Sequence, residues 1–397
     1  MRKKFLASVI IFSLIAIQTN CIAAESAKKL TRKQKKELSI LDLAKINFDT
    51  KQYDLAIEYY TKAIIINPNN AETYAKKGTA EFLSGNYTQA VNDYSKALEL
   101  DPNRENTYYN RGLAKVQLKE FESVVEDYTK ELEINPSNTN AYLNRGTTKV
   151  ILKKYNEAIE DFNKVIELDD TNILGYYNRG VAYRNLGQYE KSIKDYDKVI
   201  ELDPDNIEAY NNRGVAKFYA KNYKDAIEDY TKVIEFNKNF KQVYFNRGIS
   251  ELGLKNFENA ILDFTTEIEY NSNNDSAYYQ RAIAFEQLGK TEDALEDLGK
   301  AIELNQNNAE YYTERGALIS KIDGDLNKAK EDLNKAIELD SKDPEKYLTR
   351  AIIYCKLKEY LVAIDDLNIA LQMDENNNHA QELRTYAIKS LNSAEQQ

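Results

Sequence analysis

The hydrophobic and polar positions of the chain repeat with a period of 34 residues. Within each unit, positions 4, 7, 8 and 11 form one stripe, and positions 17, 20, 24 and 27 form a second. Steps of three and four residues place each stripe on one face of a helix. The pattern therefore predicts two amphipathic helices per unit, joined by a short turn. Position 4 is the clearest column: Tyr74, Tyr108, Tyr142, Tyr176, Tyr210, Tyr244 and Tyr278.

Glycine and proline mark the ends of the predicted helices. The turn is expected near position 15, where four units have a glycine: Gly85, Gly187, Gly289 and Gly324. Proline at position 32 ends the second helix in four units: Pro68, Pro102, Pro136 and Pro204. Self-similarity at this period is typical of a solenoid, in which each unit covers the apolar face of its neighbour.

The columns together closely resemble the tetratricopeptide repeat. They share its aromatic residue at position 4, Gly at 8, Tyr or Phe at 17 and 24, Ala at 20 and 27, and Pro at 32. The resemblance implies an all-α solenoid, a right-handed superhelix of antiparallel helix pairs whose concave wall is formed by the first helix of each unit. It covers residues 37–377 in ten units: 37–70, 71–104, 105–138, 139–172, 173–206, 207–240, 241–274, 275–308, 309–343 and 344–377.

The two ends of the chain differ from the repeats. Residues 378–397 place Ala380, Leu383, Ala387 and Leu391 on one stripe, which predicts a polar capping helix and tail. Residues 1–24, MRKK followed by FLASVIIFSLIAI, have the pattern of an export signal peptide. A lipid anchor at Cys21 is the alternative, but the residues before it lack the required small and aliphatic types. Residues 25–36 form a basic leader, which is either solvated or in contact with an anionic membrane surface.

Composition restricts the classes of function. A net charge of −10 disfavours nucleic acid as a partner. Removal of the signal leaves Cys355 as the one cysteine, so no internal disulfide is expected. The single histidine is His379, and the chain has no cysteine cluster or glycine-rich phosphate loop. We therefore predict no enzyme activity, no cofactor and no metal, and no later apolar run approaches the roughly 20 residues of a transmembrane helix.

Arginine occupies position 7 in eight units, where the repeat family usually has an aliphatic residue, and aspartate occupies position 23 in the same units. The arginines are either a ligand-binding ladder or one half of structural ion pairs. We predict the second role, because buried charges normally occur in pairs and a guanidinium fits a carboxylate. The predicted pairs are Arg111 with Asp127, Arg145 with Asp161, Arg179 with Asp195, Arg213 with Asp229, and Arg247 with Asp263.

A candidate peptide-binding groove lies on the first helices of units three to eight. Position 6, expected on the concave wall, forms an amide column: Asn110, Asn144, Asn178, Asn212, Asn246 and Gln280. Amides both donate and accept, so they suit the backbone of an extended peptide. Neighbouring positions supply an apolar floor that includes Tyr109, Tyr177, Phe218, Phe245 and Tyr279. The apolar residues have an alternative role, which is contact with the adjoining unit. The alternative for the amides is that they are tolerated as surface residues and bind no ligand.

The sequence thus predicts an exported, non-enzymatic scaffold or adaptor that binds a peptide or helix of a partner protein. The alternative is a structural envelope protein that self-assembles as a homo-oligomer. The expected location is the periplasm or the outside of a bacterial cell, with the endoplasmic-reticulum lumen as an alternative. The family's clamp for acidic chaperone tails is missing, because position 5 is never Lys and position 9 is never Asn.

Overall fold

The structure is a computed structural model that describes residues 31–395. The export signal predicted for residues 1–24 lies outside this range. Every regular element of the described residues is an α-helix, which confirms the predicted all-α solenoid. The helices form two compact units, the first ending at Gln188 and the second beginning at Tyr189. Throughout, odd-numbered helices up to α19 are the first helices of repeats, and even-numbered helices are the second.

The first unit contains nine helices among its described residues, and consecutive helices pack against each other. They are α1 (Arg32–Asp49), α2 (Tyr53–Ile66), α3 (Ala71–Leu83), α4 (Tyr87–Leu100), α5 (Thr107–Gln117), α6 (Phe121–Ile134), α7 (Thr139–Ile151), α8 (Tyr155–Leu168) and α9 (Ile173–Asn185).

The second unit contains twelve helices in the part that the structure describes. They are α10 (Tyr189–Leu202), α11 (Ile207–Tyr219), α12 (Tyr223–Phe236), α13 (Val243–Gly253), α14 (Phe257–Tyr270), α15 (Asp275–Gln287), α16 (Thr291–Leu304), α17 (Ala309–Lys321), α18 (Leu326–Leu339), α19 (Pro344–Lys356), α20 (Tyr360–Met373) and α21 (Asn378–Glu395).

Asparagine begins most of the first helices. Its side chain accepts a backbone N–H of the first turn, which satisfies a donor that has no partner within the helix. The helices α5 and α13 begin differently, after Asn106 and Gln242, whose φ angles are 58° and 62°. At α5 the buried carboxylate of Glu131 accepts the N–H groups of Asn106 and Tyr109. The capping asparagines are Asn70, Asn138, Asn172, Asn206, Asn274 and Asn308.

The turn inside each helix pair requires a left-handed residue. Gly85, Gly187 and Gly289 adopt positive φ, as the glycines near position 15 suggest. In the turn at Gly324 the left-handed residue is instead its neighbour Asp323, with φ of 50°. In the other described turns a lysine has positive φ: Lys51, Lys119, Lys153, Lys221, Lys255 and Lys358.

In five repeats the core of the helix pair is built from a glycine at position 8 that faces an aromatic residue at position 24. A Cβ atom on Gly112 would lie 2.7 Å from the ring of Tyr128, and one on Gly146 would lie 2.7 Å from the ring of Phe162. Both rings are fully buried. The absent side chain thus lets the two helices approach closely enough to enclose the ring. At the end of the second unit, Ala380 and Ala387 of α21 are buried in one cluster with Leu348 and Leu367.

Candidate functional site

The arginine column lies between the two helices of each repeat. Arg145 on α7 donates from Nε and Nη2 to the two carboxylate oxygens of Asp161 on α8, at 3.0 and 2.6 Å. This two-bond geometry recurs in seven repeats, and Lys77 lies 2.7 Å from Asp93 in an eighth. The seven pairs are Arg111–Asp127, Arg145–Asp161, Arg213–Asp229, Arg247–Asp263, Arg281–Asp297, Arg315–Asp332 and Arg350–Asp366.

Arg179 and Asp195 fall in different compact units. Arg179 on α9 donates from Nη1 to the side-chain oxygen of Asn163, at 2.7 Å. Asp195 on α10 is buried, with 5% of its surface exposed.

The third nitrogen of the arginine reaches the preceding repeat, a contact that the sequence analysis missed. Nη1 of Arg145 donates to the hydroxyl of Thr129 at 3.0 Å, and Nη1 of Arg281 donates to Thr265 at 2.9 Å. The signal was present in the sequence, since position 25 is polar in most units. A tyrosine at position 4 also covers the guanidinium, with ring distances of 5.3 Å at Tyr210 and 5.6 Å at Tyr278. An arginine whose preceding repeat has a polar side chain at position 25 therefore joins three helices, whereas Arg315 faces Gly299 and hydrogen-bonds to Asp332 alone among the described residues.

Burial governs the electrostatics of these pairs. Burial raises the pKa of Asp263, and the hydrogen bonds and charge of Arg247 oppose that rise without cancelling it. Attraction in such a pair is largely offset by the loss of hydration. In three repeats a lysine at position 11 adds a second cation to the aspartate: Lys115, Lys149 and Lys217, at 2.8, 2.9 and 2.8 Å. These contacts favour a structural role for the arginine column.

The amide column is half-buried along its whole length. Asn144 donates from Nδ2 to the hydroxyl of Tyr109 on the preceding first helix, at 3.0 Å. Asn212 on α11 is half-buried and has contacts of its own. Four side-chain amides make no hydrogen bond to other residues in the range 31–395, and their donors and acceptors are therefore available to a ligand: Asn110, Asn178, Asn246 and Gln280.

The apolar floor is continuous in the second unit. A depression of about 300 Å³ lies between the first helices α11, α13 and α15. Its floor is formed by aromatic and aliphatic side chains that range from the buried Tyr230 to the exposed Tyr219, and two members of the amide column lie at its edge. The lining residues are Val215, Phe218, Tyr219, Tyr230, Phe245, Asn246, Ile249 and Gln280.

Other predicted groove residues have different surroundings. Tyr279 is only 9% exposed, and its ring packs 4.9 Å from that of Tyr311, so it belongs to the core. In the first unit, Tyr109 packs against Tyr128 at 5.7 Å between ring centres. Burial raises the pKa of Tyr109, and the hydrogen bond from Asn144 opposes this. Tyr177 is half-buried on α9.

No group of three or more His, Cys, Asp or Glu side chains between residues 31 and 395 has the arrangement of a metal site. No helix in that range combines the length and the apolar character needed to cross a membrane.

Comparison with known proteins gives matches along most of the chain. Sequence profiles of the tetratricopeptide repeat match residues 39–70, 78–119, 105–138, 147–187, 173–206, 207–240, 276–308 and 309–343. No curated protein matches.

Three solved structures illustrate the structural matches. YrrB, described as a tetratricopeptide repeat protein with an unusual peptide-binding site, is 25% identical over 48% of this chain and 98% of its own, with a TM-score of 0.45. A tetratricopeptide repeat protein from Parabacteroides merdae is 22% identical over 63% and 98%, with a TM-score of 0.46. The anaphase-promoting-complex assembly Cut9–Hcn1 is 16% identical over 94% of both chains, with a TM-score of 0.47.

Proposed function

Because the chain belongs to the tetratricopeptide repeat family, we propose that it is a non-enzymatic adaptor that binds a segment of a partner protein on its first helices. The depression between α11, α13 and α15 is the observation that carries this proposal. It combines an apolar floor with free amides at its edge, and this is the composition of a site that holds a peptide by its backbone and by one or two apolar side chains.

Cross-linking from inside the depression tests this function. Tyr219 lines the depression and is 57% exposed, so a photoreactive phenylalanine analogue fits there without disturbing the core. Leu262 on α14 is 65% exposed outside the depression and is the matched control position. In living cells we expect a discrete cross-linked protein from position 219 that is missing from position 262. The same products from both positions, or none from position 219, would contradict the adaptor function.

We also propose that the protein is exported, on the strength of the signal-like pattern of residues 1–24. Full-length chain produced in a Gram-negative bacterium should lose this segment and fractionate with the periplasm or the medium. Deletion of residues 2–24 should retain the protein in the cytoplasm. An uncleaved protein in the cytoplasmic fraction would reject export.

Self-assembly is the second candidate function, and the first helix favours it. Leu38, Leu43 and Ile46 of α1 are between 41% and 58% exposed. Exposed apolar side chains at the end of a solenoid are a surface on which another copy can stack. Light scattering after size-exclusion chromatography decides: a concentration-dependent dimer that Ile46→Glu dissociates would support assembly, and a monomer at high concentration would exclude it.

A further inference from the structure

Beyond the depression, the first helices of the second unit become acidic. The amide column continues from Gln280 on α15 to Glu314 on α17, so a carboxylate replaces the amide. Glu310 lies one turn earlier on α17, and Glu286 lies near the end of α15. We call Glu286, Glu310 and Glu314 the acidic cluster.

The negative charge of the acidic cluster is only partly neutralised. Lys321 forms an ion pair with Glu286 at 2.9 Å. In the described part of the chain, neither Glu310 nor Glu314 is paired with a basic side chain. Burial raises the pKa of Glu314, and the charges of Glu286 and Glu310 raise it further. Glu310, Glu314 and Lys321 are spaced along one face of α17, and Lys321 reaches Glu286 on α15, so the three carboxylates share one surface. A cation bound among them would relieve their mutual repulsion.

The acidic cluster adjoins the predicted peptide path. The ring of Tyr279 packs 4.9 Å from that of Tyr311, which follows Glu310 on α17. Tyr279 directly precedes Gln280, which lines the depression. A ligand that leaves the depression along the amide column therefore meets the acidic cluster next.

The chemistry of the site indicates an organic cation. The carboxylates do not form a metal site among residues 31–395. An ammonium or guanidinium group on a flexible stem suits a partly exposed, uneven group of carboxylates, because it does not require a fixed coordination geometry.

We propose that the partner segment lies extended across α11 to α17, with an apolar side chain in the depression and a lysine or arginine side chain at the acidic cluster. The inference rests on the proposed adaptor function and names the class of its ligand. First helices of adjacent repeats are roughly 10 Å apart, and an extended chain advances about 3.3 Å per residue. The apolar and basic residues should therefore be separated by about five residues.

Binding of designed peptide pools to the full chain tests the inference. Each pool contains peptides of about 13 residues with a central Phe or Leu, uncharged random spacers, and the same residue at both ends: Arg, Gln or Glu. By fluorescence anisotropy we expect the Arg pool to bind about tenfold more tightly than the Gln pool. The Glu pool should bind most weakly, because its charges face the acidic cluster.

Matched variants separate the two contacts. Glu310→Gln with Glu314→Gln should reduce the affinity for the Arg pool to that for the Gln pool. The control, Glu303→Gln with Glu338→Gln, removes the same charge from two highly exposed residues of α16 and α18, and should leave the preference intact. Tyr219→Ala should weaken binding of all three pools, whereas Leu262→Ala should not.

The outcomes distinguish this inference from the function on which it rests. Equal affinity for the three pools, or an Arg preference that survives the double substitution in the acidic cluster, would overturn the basic ligand and leave the adaptor intact. Absence of binding by every pool would also overturn the inference. The cross-linking result at Tyr219 then decides independently whether the adaptor function stands.

Discussion

At the scale of single residues, the number of cations that reach each aspartate of the arginine column differs between repeats. Asp161 accepts from Arg145 and also lies 2.9 Å from Lys149. Asp297 is bound by Arg281 alone among the described basic residues, because position 11 of that repeat is Phe285. Loss of the arginine should therefore have different consequences at the two sites.

We expect Arg281→Ala to lower the free energy of unfolding by about 3 kcal/mol, because it leaves Asp297 buried without a cation. Arg145→Ala should cost only about 1 to 2 kcal/mol, since Lys149 stays beside Asp161. Urea unfolding followed by circular dichroism measures both. Replacement of both Arg281 and Asp297 by leucine is the control and should be closer to neutral than Arg281→Ala. Equal losses at Arg281 and Arg145 would contradict compensation by lysine.

A second residue-scale prediction concerns Glu81 on α3, which is buried near Asp93 and lies 3.2 Å from Lys77. Burial, with the hydrogen bond and charge of Asp93, raises the pKa of Glu81 to about 7. The folded state thus holds a proton that the unfolded state releases near its ordinary pKa of 4.5. The stabilisation is complete below pH 4.5 and is lost as the pH rises through about 7.

Melting temperature measured between pH 4.5 and 8.5 tests this. Glu81→Gln should flatten the pH dependence and should melt higher than the wild type at pH 8, because no buried charge forms. Glu58→Gln removes an exposed carboxylate and should leave the profile unchanged. A wild-type profile that rises toward pH 8 would reject the buried proton.

At the scale of helices, the contact between glycine and an aromatic ring sets the spacing within the five pairs that contain it. Gly146→Ala places a methyl group 2.7 Å from Phe162, so the helices must separate or the ring must move. We expect a loss of about 1 to 3 kcal/mol in the free energy of unfolding. A Cβ atom on Gly299 of α16 would have Nη1 of Arg315 as its nearest neighbour, at an ordinary contact distance of 3.9 Å, so Gly299→Ala should instead gain up to about 1 kcal/mol. Destabilisation by both substitutions would show that the close approach is not the cause.

The helices of this chain are predictable from its sequence, whereas several turns and contacts between repeats are not. The helix pairs are predictable from the apolar stripes within each 34-residue unit, because each stripe must be covered by a neighbouring helix. The left-handed residue of a turn is predictable only where glycine supplies it, since Lys119 and Lys153 adopt this conformation without a local signal. The bond from Arg145 to Thr129 joins two repeats and depends on their relative placement. The burial of Tyr279 likewise depends on Tyr311 in the next repeat.

At the scale of the molecule, a solenoid is stabilised by contacts between neighbours, so its last repeat depends on the helix that caps it. In this chain α21 encloses the cluster that contains Cys355, which is 9% exposed. Burial raises the pKa of this thiol and lowers the fraction of reactive thiolate. The reactivity of Cys355 therefore reports whether α21 is docked.

Ala387→Asp places a carboxylate in this cluster, where Ala387 is fully buried. The cost of burying an unpaired charge should detach α21 and expose Cys355. We expect a faster reaction of Cys355 with a maleimide, measured by mass spectrometry of its peptide, while the peptides of the first unit keep their protection from hydrogen exchange. Lys389→Asp also adds a carboxylate to α21, but at an exposed position, and should leave the rate unchanged. Slow labelling of Ala387→Asp would mean that the last repeat stays closed without its cap, since the thiol would then be protected by α19 and α20 alone.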